Sequence, residues 1–118
     1  YLGTYGQTLL NMAKENGALA AINAGGFEDP NGQGNGGRPM GAVIKDGKLV
    51  WGNGNVVREL AGFTKDNILM LTYSTAYDAI NNGMRDAIEF GPFLIVNGKS
   101  ANIRWNSSFL SNRWKWCK

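Results

Sequence analysis

The stretch from residue 24 to residue 41, AGGFEDPNGQGNGGRPMG, constrains the fold of this chain more than any other feature. Seven of its eighteen residues are glycine and two are proline. Glycine lowers the stability of helix and strand interiors, and proline removes a backbone hydrogen-bond donor. The sequence therefore predicts a long loop here, and loops of this length in compact domains are usually functional or mobile.

Regular elements are predicted on both sides of this loop. An apolar stripe predicts a helix over Thr4–Asn16 that ends at Gly17, and the apolar run Ala18–Asn23 predicts a short buried strand. After the loop, Asp46-Gly47 separates two short apolar segments, 42–45 and 48–51. That dipeptide is typical of a type I′ hairpin turn.

The second half of the chain continues with strand and hairpin signals. The predicted elements are strands at 56–64 and 68–73, a short helix that begins near Thr75 and stops near Gly83, and strands at 87–90, 93–96 and 99–105. Asn97-Gly98 predicts the last turn. Together these elements predict an α+β fold. Its sheet is largely antiparallel or mixed and is built of hairpins, and two short helices accompany it.

Composition excludes several classes of protein. A chain of 118 residues with 43% apolar residues fits one folded domain. Its net charge of +3 favours anionic partners mildly but is far from a nucleic-acid-binding signature, so no nucleic-acid partner is expected. No apolar run approaches the ~20 residues that span a bilayer, and Phe93–Val96 is only strand-sized, so no membrane insertion of this segment is expected.

The chain contains no histidine and a single cysteine, Cys117. Ser-His-Asp and Cys-His catalysis and histidine-ligated metals are therefore excluded, and no zinc-type cluster is possible. No metal site and no cofactor are predicted. Acid–base chemistry has to come from other groups, and the nine carboxylates are the realistic pool.

The first group of candidate residues opens the glycine-rich loop. Asn23 places an amide at the end of the predicted strand, and Gly25 and Gly26 let a ligand approach main-chain N–H groups. Asp29 supplies a carboxylate beside them. A tight turn, with Asn23 capping the backbone and Asp29 beginning an Asp-Pro turn, explains the same residues without a ligand.

The second group supplies cations, a carboxylate and a strand break. Arg38 and Arg85 are candidate phosphate contacts, and Asp86 is a candidate acid–base or orienting group. Gly91, followed by Pro92, indicates a bulge or a close backbone approach. A solvated arginine, a surface ion pair between Arg85 and Asp86, and a simple turn at Gly91 remain open as alternatives.

Three segments together resemble the phosphodiester glycosidase family, the family of the mannose-6-phosphate uncovering enzyme and of bacterial exopolysaccharide biosynthesis-type domains. They are AAINAGGFEDPNGQGNGGRPMGAVIKDGK, AGFTKDN and RDAIEFGPFLIVNGK, and they occur in family order. In the first segment, Asn23, Gly25, Gly26, Phe27 and Asp29 match the family loop by position. Gly91-Pro92 in the third segment matches a later strand break of the family.

The resemblance implies a hydrolase that cleaves a sugar-1-phosphodiester, with a carbohydrate or sugar-phosphate substrate and an extracellular or cell-surface location. On this basis the catalytic candidates are Asp29 and Asp86. The substrate-binding candidates are Asn23, Gly25, Gly26, Arg38, Arg85 and Gly91.

The chain departs from the family after residue 104, where neither an Arg-Thr-Ala-Ile-Gly-like strand nor an Asp-Gly-Gly-Gly-Ser stretch follows. We therefore expect residues 1–104 to be the N-terminal part of such a domain and residues 105–118, rich in tryptophan and basic residues, to be an atypical tail. The first residue, Tyr1, favours a mature or excised fragment. The alternative function is a non-catalytic, truncated module that binds glycans or sugar phosphates and completes its sheet as a homodimer.

Overall fold

A five-stranded sheet forms the centre of the structure, a computed structural model that describes residues 6–34 and 36–101. Its strands are β1 (Val43–Lys45), β2 (Lys48–Trp51), β3 (Arg58–Thr64), β4 (Leu69–Ser74) and β5 (Met84–Glu89). They lie in the order β2-β1-β5-β3-β4, and each neighbouring pair is antiparallel. A separate two-stranded hairpin contains β6 (Ile95–Val96) and β7 (Lys99–Ser100). The α+β prediction with a largely antiparallel sheet is confirmed.

The turns follow the predicted residue types. Asp46 and Gly47 have φ values of 51° and 71°, and Asn97 and Gly98 have φ values of 51° and 73°. Two successive residues with positive φ are the mark of a type I′ turn, whose twist matches that of the flanking strands. Both Xaa-Gly hairpin predictions are therefore confirmed.

One helix, α2 (Ala76–Asn81), covers the inner face of the sheet. Thr75 caps its N-terminus by accepting a hydrogen bond from the backbone N–H of Asp78. The helix buries Ala76 and Ala79 against the sheet. The buried apolar core consists of Ala42, Ile44, Leu60, Ala76, Ala79, Met84 and Ala87.

The opposite face of the sheet is not covered by any element of the described residues. Because side chains alternate along a strand, Ala61 and Phe63 point away from the face that buries Leu60. The register places Ala61 beside Ile88 and Phe63 beside Leu69. We call the surface formed by Val43, Ala61, Phe63, Leu69 and Ile88 the outer sheet face. Phe63 and Leu69 are 47% and 60% exposed.

The first helix, α1 (Leu9–Glu15), begins after the cap Thr8 and ends before Gly17, which has a φ of 60°. The helix and its glycine stop are confirmed, but the predicted start is wrong: the described residues 6–8 are not helical, and Thr8, with an extended backbone, is the N-cap. The predicted first residue, Thr4, lies outside the described residues. The helix buries no residue. Its exposed apolar side chains therefore add little to the stability of the sheet domain.

The predicted strand Ala18–Asn23 is wrong. This segment is irregular, its Leu19 side chain is fully exposed, and Ile22 is 81% exposed. A strand needs a neighbour that accepts and donates its backbone hydrogen bonds. No strand of the described part of the chain pairs with residues 18–23.

Smaller differences concern strand boundaries. Strand β5 begins at Met84, three residues before the predicted start, and β6 begins at Ile95 instead of Phe93. The predicted tail, residues 105–118, lies outside the described residues. No helix within the described ranges has the length and hydrophobicity needed to span a bilayer.

Candidate functional site

The glycine-rich loop folds back on itself and is tied to the end of the sheet. Phe27 forms an isolated antiparallel bridge with Pro39. On either side of it, the N–H of Glu28 donates to the carbonyl of Arg38 at 2.9 Å, and the N–H of Met40 donates to that of Gly26 at 2.8 Å. The base of the loop is therefore a short paired stem.

A tryptophan of the sheet holds the second half of this stem. The indole N–H of Trp51 on β2 donates to the carbonyl of Pro39 at 2.9 Å. This hydrogen bond uses the one polar group of the indole, so the ring can pack while its N–H is satisfied. It fixes the loop base against the β1–β2 hairpin.

A cleft of about 140 Å³ lies between the loop stem and the ends of β1 and β5. Its lining is mostly glycine backbone and apolar side chains, with one carboxylate. The lining residues are Gly25, Gly26, Phe27, Gly36, Pro39, Met40, Ala42, Val43, Ile88 and Glu89. A mostly apolar pocket with a few placed polar groups is the usual form of a small-ligand site.

Glu89 is the charged side chain of this cleft, and only 15% of its side chain is exposed. Its Oε2 accepts a hydrogen bond from the N–H of Ala42 at 3.1 Å, and its Oε1 accepts one from Arg58 Nη1 at 3.0 Å. The carboxylate therefore joins the end of β5 to the starts of β1 and β3. Charge-assisted hydrogen bonds of this kind hold a carboxylate in a fixed orientation.

The backbone of Gly25 and Gly26 also lines the cleft. In residues 6–34 and 36–101, the N–H groups of Gly25 and Gly26 donate no hydrogen bond. Successive backbone N–H groups without partners in a turn can bind an anion. The cleft thus combines a fixed carboxylate with main-chain donors, an arrangement suited to a small polar or anionic ligand.

Three predicted residues of the loop region do not line this cleft. Asn23 is exposed in the irregular segment before the glycines. Asp29 Oδ1 accepts a hydrogen bond from the N–H of Gly34 at 2.6 Å, so it shapes the loop itself. Arg38 Nη1 lies 3.7 Å from Glu28 Oε2, and both of these side chains are more than half exposed.

Arg85 and Asp86 lie at the beginning of β5, whereas the cleft lies at its end. Arg85 donates from Nε to Asp86 Oδ2 and from Nη1 to Asn67 Oδ1. The N–H of Asp46 donates to Asp86 Oδ1 at 3.0 Å. The two side chains thus connect the β1–β2 turn to the β3–β4 turn.

The same contacts affect the ionisation of Asp86. The hydrogen bond from the Asp46 backbone lowers the pKa of the Asp86 carboxyl, and the hydrogen bond from Arg85 lowers it further. Both bonds favour the charged form. At neutral pH Asp86 is therefore a carboxylate and has no proton to donate to a leaving group.

Gly91 is buried, and a β-carbon at this position would overlap the Glu59 carboxylate. Two of the predicted substrate-binding residues, Gly25 and Gly26, line the cleft. The other four, Asn23, Arg38, Arg85 and Gly91, do not. The roles of all of them stay predictions.

Sequence reasoning missed Glu89 and Arg58. The available signal was a carboxylate within the otherwise apolar AIEF segment, directly before Gly-Pro. The register pairs Glu89 with the fully buried Leu60, so its side chain lies on the inner face of the sheet. A carboxylate in such a position needs a partner, but only the tertiary structure shows that Arg58 provides it.

No group of three or more potential metal-ligating side chains occurs among the residues that the structure describes. The polar groups of the lining residues are the Glu89 carboxylate and backbone amides, and Arg58, which is not a lining residue, pairs with Glu89.

Comparison with known proteins gives one match. The family model described as phosphodiester glycosidase matches residues 16–114, which is most of the chain. No curated protein and no solved structure matches significantly. The matched range includes the whole cleft and all five strands of the central sheet.

Proposed function

The chain belongs to the phosphodiester glycosidase family, and on this premise we propose that it hydrolyses the bond between the anomeric carbon of a sugar and the phosphate of a phosphodiester. The family match over residues 16–114 is the observation that carries the proposal. It makes the chain a member of a hydrolase family with a sugar-type substrate.

The cleft offers contacts that suit this substrate class. The N–H groups of Gly25 and Gly26 bind the non-bridging oxygens of the phosphate, which carry the negative charge of the diester. Phe27 and Met40 provide an apolar wall against which a sugar ring packs. Asn23, two residues before the glycine pair, is the proposed hydrogen-bonding partner of the sugar or phosphate.

The chemistry of the leaving group determines which catalytic groups the reaction needs. Hydrolysis of the diester at the anomeric carbon releases a phosphate monoester, whose second pKa is about 6. Such a group can leave without first being protonated, in contrast to the alcohol released from an ordinary glycoside. The reaction therefore requires a bound phosphate and an activated water, but no carboxylic acid to protonate the leaving oxygen.

The proposal also includes an extracellular or cell-surface location and an exopolysaccharide-type context. Both are supported by the family resemblance alone. They do not affect the chemistry proposed for the cleft.

The test is an assay with the 118-residue chain and a panel of methyl diesters of sugar 1-phosphates, with release of reducing sugar as the measurement. The matched p-nitrophenyl glycosides, which lack phosphate, are the control substrates. Release from one or more diesters with no release from the glycosides supports the proposal. Equal rates on both substrate types, or no release from any diester, contradicts it.

The second candidate function is a non-catalytic module that binds sugar phosphates. It is favoured by the contacts of Asp29 and Asp86, because both predicted catalytic carboxylates are engaged in hydrogen bonds that shape loops and turns. Calorimetric titration of the chain with the same diesters separates the two functions. Saturable binding without release of sugar supports the binding module.

A further inference from the structure

We propose that Glu89 is the carboxylate that activates the attacking water in the cleft, and that Arg58 is the positioning residue that holds it. This inference rests on the proposed function and adds to it the residues that carry the chemistry. Neither residue was among the candidates that the sequence indicates.

The first argument is position. Glu89 lines the cleft, whereas Asp29 and Asp86 do not. Its side chain is 15% exposed, so the carboxylate is largely shielded from solvent. A general base has to lie within hydrogen-bonding reach of the water that it activates. Among the described residues that line the cleft, Glu89 is the one that carries a carboxylate.

The second argument is the hydrogen bonding of the carboxylate. Each of its two oxygens accepts one hydrogen bond, Oε1 from Arg58 and Oε2 from the N–H of Ala42. An ionised carboxylate has about four acceptor positions. One acceptor position on each oxygen is therefore left for a water or a substrate hydroxyl, while the other fixes the orientation of the group.

The third argument is Arg58. It lies on β3, next to β5, and its 3.0 Å contact with Glu89 Oε1 is an ion pair with the deprotonated carboxyl. An arginine stays charged at every working pH. In the described residues its guanidinium makes no other hydrogen bond, so its role there is to hold Glu89.

The fourth argument is the fit of the loop glycines around Glu89. A β-carbon at Gly41 would overlap the Glu89 carboxylate, and one at Gly25 would lie 3.4 Å from the Glu89 carbonyl oxygen. Gly41 also has a φ of 91°, a backbone conformation that other residues rarely adopt. Gly41 thus lets the end of the loop close onto this carboxylate, and Gly25 lets the start of the loop approach the Glu89 backbone.

The step that follows from these contacts is balanced. A water oxygen forms a bond with the anomeric carbon while the bond between that carbon and the phosphate oxygen breaks, and the electron pair leaves with the phosphate monoester. The water proton passes to Glu89 and then to solvent. The step needs no oxidant and no reductant.

The experiment compares Glu89→Gln with the wild-type chain in the diester assay. Because the amide keeps the size of the side chain but is a very poor base, kcat should fall about 100- to 1,000-fold, with a smaller change in KM. Glu15→Gln, on α1 and away from the cleft, is the matched control and should keep wild-type kcat. Formate added to Glu89→Ala should restore part of the activity, which a purely structural role of Glu89 would not predict.

Arg58 is tested as a positioning residue through a conservative pair of substitutions. Arg58→Lys keeps a cation beside Glu89 and should retain more activity than Arg58→Met. Arg58→Met should lower kcat more than it raises KM, because the carboxylate loses the group that fixes its orientation.

The outcomes separate this inference from the proposed function. A wild-type chain that releases sugar, with Glu89→Gln within threefold of it, overturns the inference and leaves the function standing. A loss in Asp86→Asn or Asp29→Asn with Glu89→Gln unaffected does the same. A wild-type chain without activity on any diester overturns both. If Glu89→Gln does not fold, the dependence of kcat/KM on pH in the wild-type chain decides. A kcat/KM that stays constant between about pH 3 and pH 7 excludes a carboxylate base.

Discussion

The carboxylate of Glu89 fills the space that a β-carbon at Gly41 would need. Glu89 ends strand β5 and Gly41 ends the glycine-rich loop, so this contact joins two segments that are 48 residues apart in the sequence. It links the conformation of the loop to the position of the proposed catalytic carboxylate.

Gly41→Ala should therefore destabilise the protein by more than the cost of placing a side chain on a backbone with positive φ. Gly83 is a matched control, because it has the same φ of 91° but no atom within 4 Å of the position that a β-carbon would occupy. Gly83→Ala should cost about 1–2 kcal/mol, the usual cost of a left-handed backbone for a residue with a side chain. Gly41→Ala should cost about 1–3 kcal/mol more, because the added carbon is forced into a filled space. Urea unfolding measures both, and equal losses would show that Glu89 does not press on Gly41.

The contacts of Asp86 predict a pH dependence of stability. The pKa of this carboxyl is lowered in the folded chain, first by the Asp46 N–H and then by Arg85. The stabilisation is therefore complete above the ordinary carboxyl pKa of about 4 and is lost as pH falls through the lower folded value. The free energy of unfolding should decrease below about pH 4 in the wild-type chain and less steeply in Asp86→Asn.

The size of this effect is limited because the Asp86 side chain is 39% exposed and solvent screens its contacts. Asp66→Asn, in the β3–β4 turn, is the control for removing one exposed carboxylate. Unfolding curves recorded from pH 7 down to acid provide the measurement. Parallel profiles for wild type and Asp86→Asn would contradict the assignment.

The two helix caps should differ in their effect on global stability. Thr75 caps α2, which buries Ala76 and Ala79 in the core, so Thr75→Ala should cost about 1 kcal/mol. Thr8 caps α1 in the same way, but α1 buries no residue. Thr8→Ala should therefore leave the main unfolding transition unchanged and lower only the helix content measured by circular dichroism. A comparable loss of global stability in both variants would show that α1 is coupled to the sheet.

The outer sheet face predicts self-association of the isolated chain. Phe63 and Leu69 expose apolar surface on adjacent strands, and patches of this kind commonly mark interfaces. We expect the sedimentation coefficient of the wild-type chain to rise with concentration and Phe63→Glu to reduce that rise. Leu10→Glu, which places a charge on the exposed helix α1, should not change it. A wild-type chain that stays monomeric at all concentrations would contradict the predicted homodimer.

Local features of the fold were predictable because their causes are local. Asp46-Gly47 and Asn97-Gly98 adopt the predicted turns, since these residue pairs tolerate two successive positive φ values. The limits of α2 also have local causes. The hydroxyl of Thr75 caps its start, and Gly83, which has no side chain, tolerates the positive φ that follows its end. The density of glycine and proline between residues 24 and 41 was sufficient to exclude an α-helix or a strand of the sheet there; the described part of the loop contains one 3-10 turn, Pro30–Gly32, and one isolated bridge.

The strand predicted at Ala18–Asn23 failed because strand formation depends on a partner that the segment itself does not encode. Its apolar residues satisfy the pattern of a buried strand, but Leu19 and Ile22 remain exposed when no neighbouring strand is present among the described residues. The prediction of Asp29 and Asp86 as catalytic residues rests on residue type and local context, and it stays a prediction. Neither residue lines the cleft, a relationship that is not visible in a linear sequence.

The amino-acid sequence by itself determined the family, the turns, the glycine-rich loop and the α+β class, because each of these depends on residues that are close together in the chain or on motifs in order. Only the tertiary structure decided which acidic residue lines the cleft. Glu89, Arg58 and Ala42 come from three different strand ends, and their hydrogen bonds exist only after the sheet has brought those ends together.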